Sequence, residues 1–239
     1  MNALILCAGM GSRFNISNDL GPKCLLKFNQ KKLIDIQIES LRKCNINKIA
    51  IVTGYKSRLV CSKNIDKFYF NKNWRNTNMV HSMFCASQWL EEDDCLISYG
   101  DIFYKQSTII NLINSKDDIS LLYHNDFMKM WSGRYENPYD DLESFKFNSS
   151  DYLIDIGQKV TEKDKIMGQF MGLVQIKKKG WHTFKNALTQ IEVKDIDFTT
   201  ALQYLIKEGV KIKCIETNEM WGEIDTISDL NFYENYYAG

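Results

Sequence analysis

The sequence has no excess of charge of either sign, and this restricts the partners that the chain can bind. Its 239 residues contain 30 lysines and arginines against 30 aspartates and glutamates, so the formal net charge is zero. A protein that binds nucleic acid usually carries a basic patch or a strongly basic composition. Neither is found along this sequence. We therefore expect no nucleic acid among its partners.

Long apolar segments are missing as well. A membrane-spanning helix needs about 18 or more consecutive apolar residues, and no window of the sequence approaches that length. The apolar run from Met1 to Cys7 has no basic residues before it, and Gly9 and Gly11 follow it at once. It therefore lacks the pattern of a signal peptide. We expect no membrane partner and a cytoplasmic location.

Paired cysteines and linker-like tracts are absent too. The seven cysteines are scattered singly, without a C-x-x-C pair. An odd, unpaired set fits neither a disulfide framework nor a zinc knuckle, so we interpret these cysteines as reduced thiols without a catalytic role. No Pro/Gly/Ser-rich tract and no internal repeat divides the chain. Residues 1–239 are therefore predicted to form a single domain.

The segments that are present alternate between strand patterns and helix patterns. The apolar run at 3–7 ends at glycines and is typical of a buried strand, residues 33–41 carry apolar side chains at helical spacing, and 48–54 is a second apolar strand. Two parallel strands need such a crossover helix. The alternation continues to about residue 125, with a helix expected at 78–90, and resumes at residue 172. It predicts an α/β fold with a Rossmann-like, mostly parallel sheet flanked by helices.

Residues 124–158 interrupt this pattern with a different composition. Aromatic side chains alternate there with aspartates and glutamates, and the segment is too aromatic to be disordered. It has no evident place in a minimal sheet of this class. We interpret it as a small inserted region, a lid or a set of hairpins, that packs over a site.

The loop after the first strand, Ala8-Gly9-Met10-Gly11-Ser12-Arg13, carries the first chemical signal. Glycines at this position let backbone N–H groups approach phosphate oxygens, and Arg13 with the later Lys23 neutralises phosphate charge. A dinucleotide-binding fingerprint would need a third glycine where Phe14 stands, and a P-loop would need Gly-Lys-Ser/Thr. The remaining alternative is an ordinary turn with surface cations.

Two aspartates supply the second signal. Asp101 follows the apolar run 95–100, at the carboxyl end of a predicted strand, where ligands bind in α/β sheets. A Mg²⁺ ion that bridges nucleotide phosphates needs one or two protein carboxylates at that level, and Asp225 is the natural partner. Either aspartate on its own also fits a strand-terminal cap or a turn. We predict a Mg²⁺ cofactor held by Asp101 and Asp225.

Taken together, these motifs resemble those of the nucleotidyltransferases. The triphosphate loop of that family resembles Gly-x-Gly-x-Arg followed by Pro-Lys and an apolar pair, here Pro22-Lys23-Cys24-Leu25-Leu26. Three further segments are similar to cytidylyltransferases that act on small phosphorylated amines or amino acids: 76–83, 168–173 and 197–199. The resemblance spans nearly the whole chain. It implies the nucleotidyltransferase fold.

The resemblance also implies an activity and a set of site residues. The chain would join CMP from CTP to a small phosphorylated acceptor, such as phosphoglutamine or phosphocholine, and release pyrophosphate. The implied nucleotide-binding residues are Ala8, Gly9, Gly11, Ser12, Asn78 and Ser82, and the implied catalytic residues are Arg13, Lys23, Asp101 and Asp225. For Asn78 an ordinary helix N-cap is the alternative. A role in bacterial capsule assembly is implied as well, and the sequence leaves a homo-oligomer open.

The inserted region 124–158 is the predicted acceptor site. A quaternary ammonium group is recognised by an aromatic cage, for which Trp131, Tyr135, Tyr139 and Trp221 are candidates. A phosphorylated amino acid would instead need a carboxylate for its ammonium group and a cation for its carboxylate, which Asp141, Glu143 and Arg134 supply. An acidic cluster of this kind is as often an ordinary solvated face.

Three other functions stay open at this point. A sugar-1-phosphate nucleotidylyltransferase would share the glycine loop and the acidic metal ligands. An oxidoreductase that binds NAD would share the first strand and the glycines, but it needs an acidic residue at the end of the second strand, where 49–54 has none. A nucleotide-binding regulator without catalysis would keep the loop and lose a metal ligand, whereas both aspartates are present.

Overall fold

The computed structural model describes residues 1–11, 21–161, 166–189 and 191–238. Within these residues the strands are β1 Asn2–Cys7, β2 Lys27–Phe28, β3 Lys31–Lys32, β4 Ile49–Thr53, β5 Lys67–Phe70, β6 Cys95–Tyr99, β7 Ile102–Tyr104, β8 Ile119–His124, β9 Glu143–Phe147, β10 Leu153–Lys159, β11 Gln169–Ile176, β12 Lys213–Thr217 and β13 Trp221–Glu223. The α-helices are α1 Leu33–Lys43, α2 Met79–Cys85, α3 Ser87–Glu92, α4 Gln106–Ile113, α5 Phe127–Arg134, α6 Lys178–Leu188, α7 Phe198–Lys207 and α8 Ile227–Tyr236.

Seven of the strands form one sheet in the order β12-β8-β11-β6-β1-β4-β5. Neighbouring strands run parallel except at β11, which is antiparallel to both β6 and β8. The predicted α/β class, with a mostly parallel sheet flanked by helices, is confirmed. An apolar run carries no information on strand direction, so the sequence did not predict that β11 is antiparallel.

Apolar side chains fill both faces of the sheet. Every residue of β1 is buried, because successive side chains point to opposite faces and helices cover both. Ile5 and Leu33 belong to the core cluster under α1, α4, α5 and α8, whereas Leu4 and Val80 belong to the cluster under α2, α3, α6 and α7. The residues at the ends of the parallel strands are therefore held rigidly from both sides.

The helix expected at 78–90 is present as two shorter helices, α2 and α3. They meet at Ala86, whose backbone has φ −107° and ψ 22°. The Ser87 hydroxyl donates to the carbonyl of Phe84 at 2.9 Å, a side-chain bond of a kind that bends helices. Neither glycine nor proline marks this break, so the periodicity alone did not reveal it.

The inserted region 124–158 contains the hairpin β9–β10 and also a helix, α5, that the sequence did not predict. The hairpin packs on α7, where Gln203 Oε1 accepts a hydrogen bond from the Ile156 amide at 3.0 Å. The helix turns Met130 and Trp131 into the core. Among the described residues, the structure has no helix with the length and apolar character needed to cross a membrane.

Candidate active site

The carboxyl ends of the central parallel strands β1 and β6 lie side by side, and the predicted site residues gather there. A short antiparallel pairing brings in the C-terminal part of the chain, because Glu223 in β13 lies opposite Ile102 in β7. The Ile224 amide also donates to the Asp101 carbonyl at 3.0 Å. This pairing places Asp101 beside Asp225, which is 124 residues further along the sequence.

Three carboxylates meet at this point. Asp101, Glu223 and Asp225 each contribute an oxygen, and these oxygens lie within 4.8 Å of one another. The structure thus brings together the two predicted aspartates. Glu223 was missed, although residues 223 and 225 are two apart in an extended segment and therefore point to the same side.

Lys23 lies against this carboxylate trio. Its Nζ is 3.1 Å from Asp101 Oδ2 and contacts Asp225 Oδ1 directly. Burial would lower the pKa of the Lys23 ammonium, but the charges of Asp101 and Asp225 outweigh it and raise the pKa. Lys23 therefore stays protonated at neutral pH and supplies a fixed positive charge.

The glycine loop reaches Lys23 from the other side. Gly11 has φ +63°, and a Cβ atom on it would lie 2.6 Å from Lys23 Cγ. The position therefore requires glycine both for its left-handed backbone and for the space that the lysine stem occupies. Ala8, Gly9 and Gly11 line the cleft beside Lys23, as predicted, whereas Ser12 and Arg13 lie outside the described residues.

The trio carries more negative charge than one lysine can balance. Burial raises the pKa of Glu223 to about 8, and the neighbouring Asp225 and Asp101 contribute to this rise. A set of three carboxylates is an all-oxygen donor set, which is the kind that Mg²⁺ prefers. The residues present therefore fit a divalent cation of this type.

Asn78 and Ser82 line the same cleft as the glycine loop. Asn78 caps α2, because its Oδ1 accepts from the Met79 amide at 3.0 Å. Its Nδ2 has no hydrogen-bond partner among the described residues. The Ser82 hydroxyl accepts from Asn71 Nδ2 at 3.0 Å and lies 3.5 Å from the Asn78 carbonyl. Asn78 therefore both caps the helix and lines the cleft.

Trp131 and Trp221, the predicted cage rings, are core residues instead. Their side chains are 1% and 0% exposed, and the rings stack with centroids 6.1 Å apart at 12°. Trp221 Nε1 donates to the Met171 carbonyl at 3.0 Å, and Trp131 Nε1 donates to Asp141 Oδ2 at 3.2 Å. The indoles are buried and their N–H groups are satisfied. The prediction that these two rings form an exposed cage for the acceptor is wrong.

Arg134 is also placed differently from its prediction. Its Nε donates to Asp229 Oδ1 at 2.8 Å, and both side chains are almost fully buried, at 1% and 4% exposure. The guanidinium lies over the Trp131 ring, 4.8 Å from its centroid. The positive charge of Arg134 is therefore paired inside the core and does not face the cleft.

Glu143 is a predicted acceptor residue whose charge acts on a residue of the cleft, Tyr99. It begins β9, is half-buried, and has its pKa raised by burial and by Asp197. Tyr99, which lines the cleft, has its pKa raised by burial and by the charges of Glu223, Asp101, Asp197 and Glu143. Glu143 and Asp197 thus act on the same tyrosine as Glu223 and Asp101 do. Acceptor binding by Glu143 stays a prediction.

Comparison with known proteins adds the following similarities. The pattern of the MobA-like NTP transferase domain matches residues 3–135. The chain is 35% identical over 251 residues to the CTP:phosphoglutamine cytidylyltransferase of Campylobacter jejuni, covering 96% of this chain and 98% of that protein.

Two solved structures share the fold. The inositol-1-phosphate CTP transferase of T. maritima superposes with a TM-score of 0.77 at 18% identity, covering 100% of this chain and 96% of that chain. The CTP:phosphocholine cytidylyltransferase of Streptococcus pneumoniae gives a TM-score of 0.74 at 20% identity, covering 98% of each chain.

Proposed function

The chain belongs to the MobA-like NTP transferase family, and on this premise we propose that it is a CTP-dependent cytidylyltransferase. It joins CMP from CTP to the phosphate of a small phosphorylated acceptor and releases pyrophosphate. The observation that carries this proposal is the trio Asp101, Glu223 and Asp225 with Lys23 beside it, at the edge of the glycine-lined cleft.

The reaction exchanges one phosphorus–oxygen bond for another. An oxygen of the acceptor phosphate attacks the α-phosphorus of CTP, and the bond from that phosphorus to the bridging oxygen of the β-phosphate breaks. The electron pair leaves with pyrophosphate. The protein has to hold the attacking oxygen in line and stabilise the charge that develops on the phosphates.

The residues of the cleft divide this work. Backbone N–H groups of Gly9 and Gly11 approach the triphosphate, and the Lys23 ammonium adds a full positive charge beside it. Asp101, Asp225 and Glu223 would hold Mg²⁺, which neutralises phosphate charge when bound. No covalent nucleophile is needed: Cys7 lines the cleft, but burial raises the pKa of its thiol well above the usual range, so it stays protonated.

We assign base recognition to Asn78. Its Oδ1 is used by the helix cap, so its Nδ2 is the group that turns to a ligand. An amide N–H suits the ring nitrogen N3 of cytosine, which accepts a hydrogen bond, whereas N3 of uracil donates one. Ser82 supports this wall of the cleft through its bonds to Asn71 and Asn78.

For the acceptor we favour phosphoglutamine over phosphocholine. The relative named for phosphoglutamine is similar over nearly the full length of both chains. A choline cage needs several exposed aromatic faces, and two of the four candidate rings, Trp131 and Trp221, are buried in the core. Carboxylates near the cleft, Glu143 above all, suit an ammonium group that donates hydrogen bonds.

The proposal includes a cellular setting. CTP is a cytoplasmic metabolite, which is consistent with the predicted cytoplasmic location. Capsule assembly and a homo-oligomeric state stay predictions from the sequence. The partners proposed here are CTP and the phosphorylated acceptor.

A pyrophosphate-release screen tests the proposal. CTP, UTP, GTP, ATP and dTTP are each combined with phosphoglutamine, phosphocholine, aminoethylphosphonate and glucose 1-phosphate in the presence of Mg²⁺. We expect the fastest release with CTP and phosphoglutamine. Faster release with glucose 1-phosphate would favour a sugar-1-phosphate nucleotidylyltransferase and contradict the proposal.

A further inference from the structure

Asp229 contacts the backbone of the segment that carries Asp225. Its Oδ2 accepts hydrogen bonds from the Asp225 amide at 3.0 Å, the Thr226 amide at 2.8 Å and the Thr226 hydroxyl at 2.9 Å. The bond to Asp225 is buried. Asp229 thereby fixes the main chain on which the Asp225 carboxylate stands.

The other oxygen of Asp229 is held by Arg134. Oδ1 accepts from Arg134 Nε at 2.8 Å, and the pair is shielded from solvent. The Arg134 guanidinium also packs over the rings of Trp131 and Tyr233, with centroids at 4.8 and 5.5 Å. Because the aromatic rings and the carboxylate surround the guanidinium, they fix its position, and it fixes the orientation of Asp229 in turn.

We propose that Arg134 and Asp229 form a positioning pair that holds Asp225 in place for cation binding. The proposal rests on the metal role given to Asp225 in the proposed function. Helix α5 lies inside the region that was expected to bind the acceptor. In this proposal it has a different role. Through Arg134 this helix holds Asp229, which in turn bonds the Asp225 amide.

Helix capping alone does not account for these contacts. Thr226 and Asp229 form a capping box at the start of α8, in which each side chain bonds the backbone of the other. A capping box needs neither the bond to the Asp225 amide nor a buried arginine. An ion pair this deep costs desolvation that a simple cap would avoid, so its presence points to a geometric role.

Arg134 acts on a second member of the trio as well. Its charge partly offsets the rise that burial causes in the pKa of Glu223. Its Nη1 and the Tyr233 hydroxyl are buried and have no hydrogen-bond partner among the described side chains. The positioning pair therefore acts on the segment 223–225 by a hydrogen bond to the Asp225 amide and by the charge of Arg134.

Groups that orient a metal ligand from behind typically change metal affinity 10–100-fold when they are mutated. Asp229→Asn keeps one oxygen for the Asp225 amide and loses the charge that pairs with Arg134. Asp229→Ala removes both. Thr226→Ala is the matched control, because it weakens the same helix start and leaves the Asp229 carboxylate in place.

The test measures Mn²⁺ binding to the protein without nucleotide, by the electron paramagnetic resonance signal of free Mn²⁺. We expect the Mn²⁺ dissociation constant to rise about 10-fold or more in Asp229→Asn, to rise further in Asp229→Ala, and to change less than about 3-fold in Thr226→Ala. Wild-type affinity in both Asp229 variants would overturn the positioning role.

Two further measurements do not depend on the folding of the Asp229 variants. Arg134→Lys is a milder variant for the case in which the Asp229 variants fail to fold, and it too should weaken Mn²⁺ binding. Amide hydrogen exchange of Asp225 in the wild type needs no variant and no metal. An exchange rate as fast as that of an exposed loop would contradict the buried bond to Asp229, whereas strong protection supports it.

Failure of the proposed function gives a different result. If the wild type binds no Mn²⁺, the metal role of the trio is wrong and the purpose given to the positioning pair fails with it, while a slow Asp225 exchange rate would still show that Asp229 holds this main chain. If the wild type binds Mn²⁺ and the Asp229 variants bind it equally well, only the inference is wrong.

Discussion

The stem of Lys23 lies across the position that a Cβ atom on Gly11 would occupy, with Lys23 Cγ only 2.6 Å from that position. The glycine loop therefore does more than expose backbone amides to a phosphate. It leaves room for Lys23 to reach Asp101 and Asp225. The loop and the carboxylate trio are thus parts of one arrangement.

This contact predicts a non-additive pair of variants. Gly11→Ala should lower kcat/KM for CTP by about 10-fold or more, because the new methyl group displaces Lys23. Lys23→Ala should lower it by about 10²-fold. In the double variant the loss should be smaller than the product of the two single losses, since part of the effect of the glycine acts through the lysine.

Gly209→Ala provides the control for backbone strain. Gly209 also has a positive φ, +78°, at the end of α7, and nothing lies within 4 Å of its missing Cβ. The variant should lose about 1–2 kcal/mol of unfolding free energy and keep wild-type kcat/KM. Fully additive losses for Gly11 and Lys23 would contradict the contact.

Base choice should depend on the amide of Asn78. Asn78→Asp keeps an N-cap oxygen for α2 and removes the Nδ2 donor. We expect the preference for CTP over UTP, measured as the ratio of their kcat/KM values, to weaken by the equivalent of about 1–3 kcal/mol. The reason is that the aspartate no longer offers the N–H donor that N3 of cytosine accepts from. Asn78→Ala should show the same fall with additional loss of stability. An unchanged ratio would place base recognition elsewhere in the cleft.

Acceptor affinity should depend on Glu143. Glu143→Gln removes the charge that pairs with an ammonium group, and a hydrogen bond to a charged group contributes about 1.5–3 kcal/mol. The KM for the acceptor should rise by about 10-fold or more, while the KM for CTP stays near its wild-type value.

Asp140→Asn is the matched control for Glu143, since Asp140 is an exposed carboxylate of the same inserted region that bonds Asn137 Nδ2 at 2.7 Å. It should leave both KM values unchanged. A rise in KM for CTP in Glu143→Gln would place this residue in the nucleotide half of the site.

The buried His124 should make stability depend on pH. Burial lowers the pKa of its imidazole below the usual 6.5, so the unfolded state binds the proton more readily than the folded state. The free energy of unfolding should therefore fall as pH decreases below about 6.5. Urea unfolding from pH 7.5 to 5 should show a weaker fall in His124→Gln. Equal pH profiles would show that His124 does not contribute.

The sequence predicted those parts of the site that depend on strand ends. An apolar run followed by glycines or by an aspartate marks the carboxyl edge of a parallel sheet, and this was enough to place Gly9, Gly11 and Asp101 together. Lys23 followed from its motif. Glu223 was missed because the alternation of side chains along an extended segment, which places residues 223 and 225 on the same side, was not applied to it.

The acceptor residues were harder to predict for a physical reason. A lid and a core wall have the same aromatic and acidic composition, and only the long-range contacts distinguish them. Trp131 meets Trp221 across 90 residues of sequence, and Arg134 meets Asp229 across 95. No local pattern in residues 124–158 contains either partner.

The central claim is that Asp101 and Asp225 hold the cation that CMP transfer requires. The most direct test is the initial rate of pyrophosphate release from CTP and phosphoglutamine, titrated with Mg²⁺, for the wild type, Asp101→Asn and Asp225→Asn. The account predicts saturable Mg²⁺ dependence in the wild type and loss of turnover in both variants, with circular dichroism spectra unchanged, because an amide lacks the charge that holds the ion. Wild-type kcat in both variants would contradict it.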